Sequence, residues 1–159
     1  VTLHVTVDKA PLPFSDGHFD LGICHHESYD PQEIFRVLKQ GGRFITQQVG
    51  GLDNLELNQI LESAITFPHT NCSLAKDLLG LYEAGFQVEK AEKAALPSIF
   101  TDIGAVVYYL KAIPWQVPGF SPETHKEGLG RLHTVIERQD QFTATAHRFL
   151  ILASKKAEI

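Results

Sequence analysis

Residues 12–49 read LPFSDGHFDLGICHHESYDPQEIFRVLKQGGRFITQQV, and this stretch decides the fold of the chain. Residues 19–24 form a short apolar run with little alternation, which is typical of a strand buried on both faces. Residues 43–49 predict a second strand. The segment between them predicts a helix, so that strand, helix and strand follow one another within about thirty residues. Such a unit is one right-handed crossover between parallel strands.

Capping chemistry predicts where the helix of this stretch begins and ends. Asp30 can cap its first turn, Pro31 suits its first position, and Glu33 can complete a capping box. The glycine pair Gly41-Gly42 is expected to stop the helix, because glycine is the usual residue just beyond a helix end.

Three further segments predict strands. Residues 1–7 alternate between apolar and polar side chains, and residues 141–153 form a long final strand. Residues 86–94 also predict a strand, whose charged residues are typical of one solvated face or of a sheet edge. The chain has no repeats, low-complexity tracts or evident linkers, so residues 1–159 are predicted to form a single domain.

The remaining segments predict helices with local start and stop residues. Asp53 and Glu56 offer a second capping box before a helix that reaches about Ile65. Gly85 suits a left-handed helix end. Further helices are expected to begin at Ser73, Asp102 and Ser121.

The composition describes a globular chain. It has 159 residues, of which 43% are hydrophobic and 21% charged, and this suits one domain with a core. A net charge of −5 argues against a dedicated nucleic-acid surface. No run is apolar enough to span a bilayer and no signal peptide is visible. The two cysteines, Cys24 and Cys72, favour a reduced, cytoplasmic setting. Because the chain starts with Val1 and not Met, it looks cut from something longer.

Four short motifs of the opening stretch stand at a specific spacing: Leu12-Pro13-Phe14, Phe19-Asp20, Arg36-Val37-Leu38-Lys39 and Gly41-Gly42-Arg43-Phe44. As a set they resemble the middle of class I S-adenosylmethionine (SAM)-dependent methyltransferases, of the methyltransferase type 11 kind. The resemblance implies an α/β fold with a Rossmann-like sheet, mostly parallel with an antiparallel final strand, and helices on both faces. It also implies SAM as the cofactor, bound across the carboxyl ends of the strands, and an acceptor that is a small molecule.

Two cofactor-binding features of that family are missing from this sequence. The glycine-rich loop after the family's first strand is absent, and so is the acidic residue after its second strand. Residues 1–7 match the third strand, so the chain is predicted to be a partial methyltransferase domain. Gly50-Gly51 follows the wrong strand to be the missing loop, and the pair Gly128 and Gly130 lies inside a predicted polar helix.

The resemblance assigns three positions to the cofactor. Asp8 stands where the family contacts adenine, whose amino hydrogens a carboxylate can accept; alternatively, Asp8 caps its loop. Cys24 and His25 end the family's fourth strand and would face the methionine part of SAM.

The residues after that strand are candidates for catalysis. His25 or His26 could take a proton from the attacking nucleophile, because imidazole titrates near neutrality. The alternative is that both are loop residues bonded to the backbone. Positioning of the two reactants would then supply much of the rate, because the sulfonium is already a good leaving group.

Three residues are candidates for substrate binding. Glu27 follows the histidines, and Gln47, with its neighbour Gln48, ends the next strand at the same edge of the sheet. Trp115 lies in a loop rich in large apolar groups. The alternatives are that the amides satisfy loop backbone groups and that the aromatic residues pack on the sheet.

A metal site is not predicted, because adjacent ligands such as Cys24 and His25 point to opposite sides of an extended chain and no second spaced pair is near. In the family the strands lie in the spatial order three, two, one, four, five, seven, six. With strands one and two absent, residues 19–24 would form an open apolar edge. This edge is expected to pair with residues 1–7 or to join two copies in a homodimer.

The sequence therefore predicts a SAM-dependent methyltransferase, in partial form, with weak or no binding of SAM. The alternative is a non-catalytic, methyltransferase-like module for interaction or dimerisation. A hydrolase that uses the His-Glu cluster is a third hypothesis, without a nucleophile-elbow motif to favour it.

Overall fold

The computed structural model describes His4, residues 10–61 and residues 72–156. The predicted strand at residues 1–7, apart from His4, falls outside the described residues, and so does Asp8 with its predicted adenine contact.

The described ranges contain helices and strands in the order that an α/β fold requires. The sheet has the strand order β1-β2-β4-β3, which is the predicted sequence of family strands four, five, seven and six. The elements are β1 (Phe19–His25), α1 (Pro31–Val37), β2 (Leu38–Val49), α2 (Leu55–Ile60), α3 (Leu74–Glu83), β3 (Gln87–Phe100), α4 (Ile103–Ala112), α5 (Lys126–Gln139) and β4 (Phe142–Ser154).

The sheet is mixed. β1 and β2 are parallel, so the predicted crossover is confirmed. β4 runs against β2, because the amide of Gly41 donates to the carbonyl of Lys155 while that of Gly50 donates to His147, so the numbers rise on one strand and fall on the other. The antiparallel final strand is therefore confirmed, and β3 lies at a sheet edge as predicted.

The chain divides into two compact units, which are described separately. The first unit comprises residues 1–49, 72–93 and 149–159, and the second comprises residues 50–71 and 94–148. The single domain expected for the whole chain stays a prediction.

The core of the first unit is an apolar layer beside β2. Asp30 caps α1 by accepting from the amide of Gln32, and Ser73 caps α3 by accepting from Lys76, as predicted. Gly85 has the expected positive φ of 100° after α3. The buried members of this core are Leu38, Phe44, Leu81, Ala84, Phe86, Phe149, Ile151 and Ala153.

The prediction that residues 19–24 are buried on both faces is wrong. Leu21 is 47% exposed and Ile23 is 70% exposed, whereas Phe19 and Cys24 pack against the core. β1 ends the strand order of the described sheet, and only one of its faces is covered by described residues. A run of apolar residues predicts a strand that can be buried on both faces. Burial of the second face also requires another layer of the protein to cover it.

Glu33 does not complete the predicted capping box. Its carboxylate accepts the amide of Leu12 at 2.9 Å and two hydrogen bonds from Arg36. Arg36 in turn donates to the carbonyl oxygens of Leu12 at 3.0 Å and Phe14 at 2.8 Å, and to Asp16. Arg36, from the motif at residues 36–39, thus binds the backbone of the motif at residues 12–14.

This cluster predicts a pH dependence of stability. Hydrogen bonds from Arg36 and then from the amide of Leu12 lower the pKa of Glu33 from its ordinary 4.5 to about 2. A lowered pKa in the folded state means that the stabilisation is present above pH 4.5 and is lost as the pH falls towards 2. The variant Glu33→Gln should therefore lose less stability over this range than the parent, as measured by urea unfolding. Parallel curves for the two proteins would contradict the assignment.

The glycine pair does not end the first helix, contrary to the prediction. α1 ends at Val37, and Gly41 and Gly42 lie within β2. The ammonium group of Lys155 caps the helix instead, donating to the carbonyl oxygens of Phe35 at 2.8 Å and Leu38 at 3.0 Å. Gly42 is required for another reason, because a Cβ atom there would lie 2.8 Å from the carbonyl oxygen of Lys39.

The core of the second unit gathers around helices α2, α4 and α5. Asp102 caps α4 as predicted, accepting from the amide of Ala105 at 2.7 Å. α5 starts at Lys126, later than the predicted Ser121, which lies in the turn before it. The buried members are Leu57, Leu61, Phe100, Val106, Leu110, Val117, Leu129, Leu132, Ile136 and Ala144.

The predicted capping box of Asp53 and Glu56 is also wrong. The N-cap of α2 is Asn54, and the Asp53 carboxylate binds the amide of His147 at 2.8 Å and the guanidinium of Arg148. Both acidic side chains therefore tie the start of α2 to β4.

Glu56 forms two hydrogen bonds with Thr145 of β4. Its carboxylate accepts the amide of Thr145 at 3.0 Å and the hydroxyl of the same residue at 2.7 Å. Burial raises the pKa of Glu56, but these hydrogen bonds outweigh it, so the pKa lies below its ordinary value.

The Gly128 and Gly130 pair lies inside a helix, as expected, and has a packing role. α2 and α5 are in contact. A Cβ atom at Gly128 would lie 2.8 Å from the Cα atom of Leu61, whereas one at Gly130 would meet nothing within 4 Å. Gly128 therefore lets the backbone of α5 approach the end of α2.

Candidate functional site

The parallel pairing of β1 and β2 brings several predicted site residues together at their carboxyl ends. Cys24 lies opposite Thr46, and His25 lies opposite Gln47. Because side chains alternate along a strand, the first pair shares the core face and the second pair shares the opposite face. His25 and Gln47 are therefore neighbours on the face where Ile23 is exposed.

Gln48 holds the turn that follows β1. Its amide donates to the carbonyl oxygen of Glu27 at 2.9 Å and to the hydroxyl of Thr46 at 2.8 Å. The thiol of Cys24 also donates to the carbonyl of Glu27, at 3.2 Å. For Gln48 the alternative is thus confirmed, because its side chain satisfies loop backbone.

The two histidines form a stacked pair at the end of β1. Their ring centroids are 3.9 Å apart with an interplanar angle of 21°. His26 has a left-handed backbone with φ of 58°, and its amide donates to the carbonyl oxygen of Gln47 at 2.9 Å. A positive φ outside glycine is uncommon and is found preferentially at functional sites. His25, His26 and Glu27 are all exposed.

A half-buried tyrosine–carboxylate pair supports the same turn, and sequence reasoning missed it. The hydroxyl of Tyr29 donates to the Asp77 carboxylate at 3.1 Å, and the Tyr29 ring packs edge-on against Phe44. Burial, together with the charge of Asp77, raises the pKa of Tyr29 well above its ordinary value. Burial also raises the pKa of Asp77, in part offset by the hydrogen bond. The pair fixes the loop after β1 against the first turn of α3.

The aromatic residues of segment 108–120, which includes the predicted Trp115, divide into two groups. Tyr109 and Phe120 pack against the core, as the alternative interpretation expected. Trp115 is 55% exposed and Tyr108 is 76% exposed. Substrate binding by Trp115 stays a prediction, but its exposed ring does not belong to the core.

A buried polar cluster follows β2 in the second unit, and the sequence analysis did not identify it. The amide of Gln116 donates to the side chain of Asn58 at 2.8 Å and to the carbonyl oxygen of Asp53 at 2.9 Å. The Asn58 amide donates to the Gln116 carbonyl at 2.7 Å, and the Asn54 amide donates to the Tyr109 hydroxyl at 2.7 Å. Only the amide-rich composition of the segment after β2 hinted at it.

Within the ranges that the structure describes, no group of three or more His, Cys, Asp or Glu side chains could hold a metal ion. None of the helices described has the length and apolar character needed to cross a membrane.

Three solved structures resemble this fold at low sequence identity. A candidate methyltransferase from Bacillus halodurans is 18% identical with a TM-score of 0.58, over 92% of this chain and 74% of its own. The cyclase SpnF is 18% identical with a TM-score of 0.52, over 97% of this chain and 56% of its own. The YcgJ protein from Bacillus subtilis is 19% identical with a TM-score of 0.54, over 92% of this chain and 68% of its own.

These matches confirm the α/β fold of class I methyltransferases. No protein-family model matches the chain, and no curated protein matches its sequence. The chain spans a little over half of SpnF, so the activity, substrate and partners of a whole protein are matters for proposal.

Proposed function

We propose that this chain is part of a SAM-dependent methyltransferase and that the carboxyl ends of β1 and β2 carry its reactive side. The exposed pair of His25 and His26 at the end of a parallel strand, with a left-handed backbone at His26, carries the proposal. In open α/β sheets, ligands bind outside the carboxyl ends of the strands. The structural neighbours favour a methyl transfer in general, because one of them is named as a candidate methyltransferase.

The residues at this end fit one part of the cofactor. SAM supplies an electrophilic methyl group when it is bound. The Cys24 thiol is already committed to the carbonyl of Glu27, so Cys24 would meet the methionine part through its backbone. His25, exposed on the opposite face, has a free path to a ligand. Asp8 remains the proposed adenine contact.

The histidine pair suits the handling of a proton. The hydrogen bond from the amide of His26 to the carbonyl oxygen of Gln47 holds the backbone at the end of β1, and the side chain of His25 is exposed. An exposed imidazole can accept the proton that an amine or hydroxyl acceptor releases. Glu27 and Gln47 are proposed to orient a small-molecule acceptor, and substrate binding by Trp115 stays a separate prediction from the sequence. The cytoplasmic setting and the homodimer stay predictions.

Nuclear magnetic resonance titration of the 159-residue chain with S-adenosylhomocysteine, methionine and adenosine tests the proposal. We expect weak binding of S-adenosylhomocysteine, with a dissociation constant on the order of 1 mM, about −4 kcal/mol. Methionine alone should shift the amides of Cys24, His25 and His26, and adenosine alone should leave them in place. Alanine at His25 should change the response, while alanine at the exposed His133 of α5 serves as the matched control.

Two outcomes would count against the proposal. If none of the three ligands shifts the residues at the ends of β1 and β2, the proposal that these strand ends hold the methionine part of the cofactor fails. If S-adenosylhomocysteine shifts only residues elsewhere, the cofactor site is misplaced. One structural neighbour is named as a cyclase, so a likeness of fold does not identify the reaction. The titration therefore tests cofactor binding directly.

A further inference from the structure

The sheet face that points away from the core of the first unit carries a row of aliphatic side chains. Parallel pairing places Ile23 of β1 opposite Ile45 of β2. The amide of Lys155 donates to the carbonyl oxygen of Gly42, and counting along the antiparallel strands from this pair places Leu152 of β4 opposite Ile45. The row therefore crosses three adjacent strands on one face.

Two more aliphatic side chains extend this row along the strands. Leu21 precedes Ile23 by two residues on β1, and Leu150 precedes Leu152 by two residues on β4, so both share the same face. Ile23 is 70% exposed and Leu21 is 47% exposed, while the other three are half-buried. Among the described residues, neither apolar core includes any of the five. A contiguous apolar patch of this kind marks an interaction surface, and we call it the aliphatic face.

Polar and charged groups lie only at the two ends of the aliphatic face, as far as the described strands show. Arg43 lies opposite Leu21 and forms a loose ion pair with Glu89 of β3 at 3.8 Å, with side chains 63% and 31% exposed. His25 and Gln47 lie at the other end. The ion pair is neutral as a whole and the centre is uncharged, so the face suits an apolar partner and not an ion.

The size of the aliphatic face fits a single helix. Three strands about 4.8 Å apart and five residues that rise about 3.3 Å each give an area of about 15 Å by 15 Å. An α-helix is about 10 Å across, and three of its turns span about 16 Å. A stable interface between two copies buries about 800 Å² on each, roughly three times what this face offers. Helices are also the usual cover for the faces of a sheet with parallel strands.

We propose that the aliphatic face docks one amphipathic helix of a partner polypeptide, which presents a stripe of aliphatic side chains about three turns long. The stripe packs across the row of Ile23, Ile45 and Leu152, and the polar side of the helix faces solvent. Because the face ends at His25 and Gln47, the docked helix lies next to the site proposed above. Docking goes beyond methyl transfer and does not require SAM.

Nuclear magnetic resonance titration of the 159-residue chain with two peptides tests the docking. One peptide has about 14 residues, with leucines at every third or fourth position among lysines and glutamates, so that they form one stripe. The other has the same composition with the leucines spread around the helix. We expect saturable shifts of the amides of Leu21, Ile23 and Ile45 with the first peptide, and a dissociation constant at least about tenfold weaker for the second.

Two lysine variants with similarly exposed side chains separate docking from stability. Ile23→Lys should weaken the first peptide at least about tenfold and leave the urea midpoint unchanged, because the replaced side chain is 70% exposed. Leu79 is 57% exposed on α3, whose buried residues belong to the core on the other face of the sheet. Leu79→Lys should therefore leave the affinity within about twofold of the parent.

Three results would overturn the proposal. The first is equal affinity for the two peptides, or no binding of either. The second is an unchanged affinity in Ile23→Lys. The third is a dimer of the chain, measured by sedimentation, that Ile23→Lys dissociates, because a second copy would then occupy the aliphatic face. None of these results depends on whether S-adenosylhomocysteine binds, so a failure here is distinct from a failure of the proposed function.

Discussion

Replacing Asp53 with Asn is expected to lower the free energy of unfolding by about 3 kcal/mol. Asp53 accepts hydrogen bonds from the amide of His147 and the guanidinium of Arg148, and both charged side chains are mostly buried. Asparagine keeps the shape but not the charge, so Arg148 is left buried without its counter-ion. Urea unfolding followed by circular dichroism measures the loss.

The matched control is the same substitution at an exposed ion pair. Asp20 pairs with Lys39 at 2.9 Å, but its side chain is 83% exposed. Asp20→Asn should therefore change the free energy of unfolding by less than about 1 kcal/mol. If Asp53→Asn and Asp20→Asn lower the free energy of unfolding by similar amounts, the buried contacts of Asp53 with β4 do not explain the loss in Asp53→Asn.

Replacing Gly128 with Ala is expected to cost about 2 kcal/mol of unfolding free energy. The added methyl group would lie 2.8 Å from the Cα atom of Leu61, which is backbone and has no flexible end that can turn away. Alanine favours a helix by about 1 kcal/mol over glycine, so the strain has to exceed this gain. Thermal and urea unfolding both report the net loss.

Gly130 provides the control in the same helix. A Cβ atom there meets nothing within 4 Å, so Gly130→Ala should gain about 0.5–1 kcal/mol from helix propensity alone. The two alanine variants should thus shift stability in opposite directions. A stabilising Gly128→Ala would show that α5 can move away from the end of α2 at little cost.

Features that depend on neighbours in sequence could be predicted well. Asp30, Ser73 and Asp102 cap their helices by accepting amides two or three residues ahead, so the pattern contains both partners. The parallel pairing of β1 and β2 follows from the length of the crossover between them. It also places His25 beside Gln47.

Features that depend on distant partners could not be predicted from local spacing. Glu33 was assigned to a capping box, but its carboxylate binds an amide 21 residues away. Asp53 and Glu56 looked like another box, but bind β4 at separations of 95 and 89 residues. A capping box and a tertiary clamp use the same residue types, so only the folded chain distinguishes them.

The same difference between local and distant partners explains why the histidine turn could be predicted and the polar cluster around Asn54 could not. The histidine turn follows one strand, so its place at the sheet end was evident from the motif order. The Asn54 cluster joins side chains 55 residues apart, between Asn54 and Tyr109. The exposure of Leu21 and Ile23 was also beyond prediction, because a sequence states which residues are apolar and not which layer covers them.

Lys155 defines how far the carboxyl terminus can be trimmed in a crystallisation variant. Its backbone exchanges hydrogen bonds with Gly41 and Gly42, and its ammonium group closes the end of α1. A variant that ends at Lys155, without the exposed Lys156 and the residues after it, keeps these hydrogen bonds. A variant that also lacks Lys155 loses both the backbone hydrogen bonds to β2 and the cap of α1.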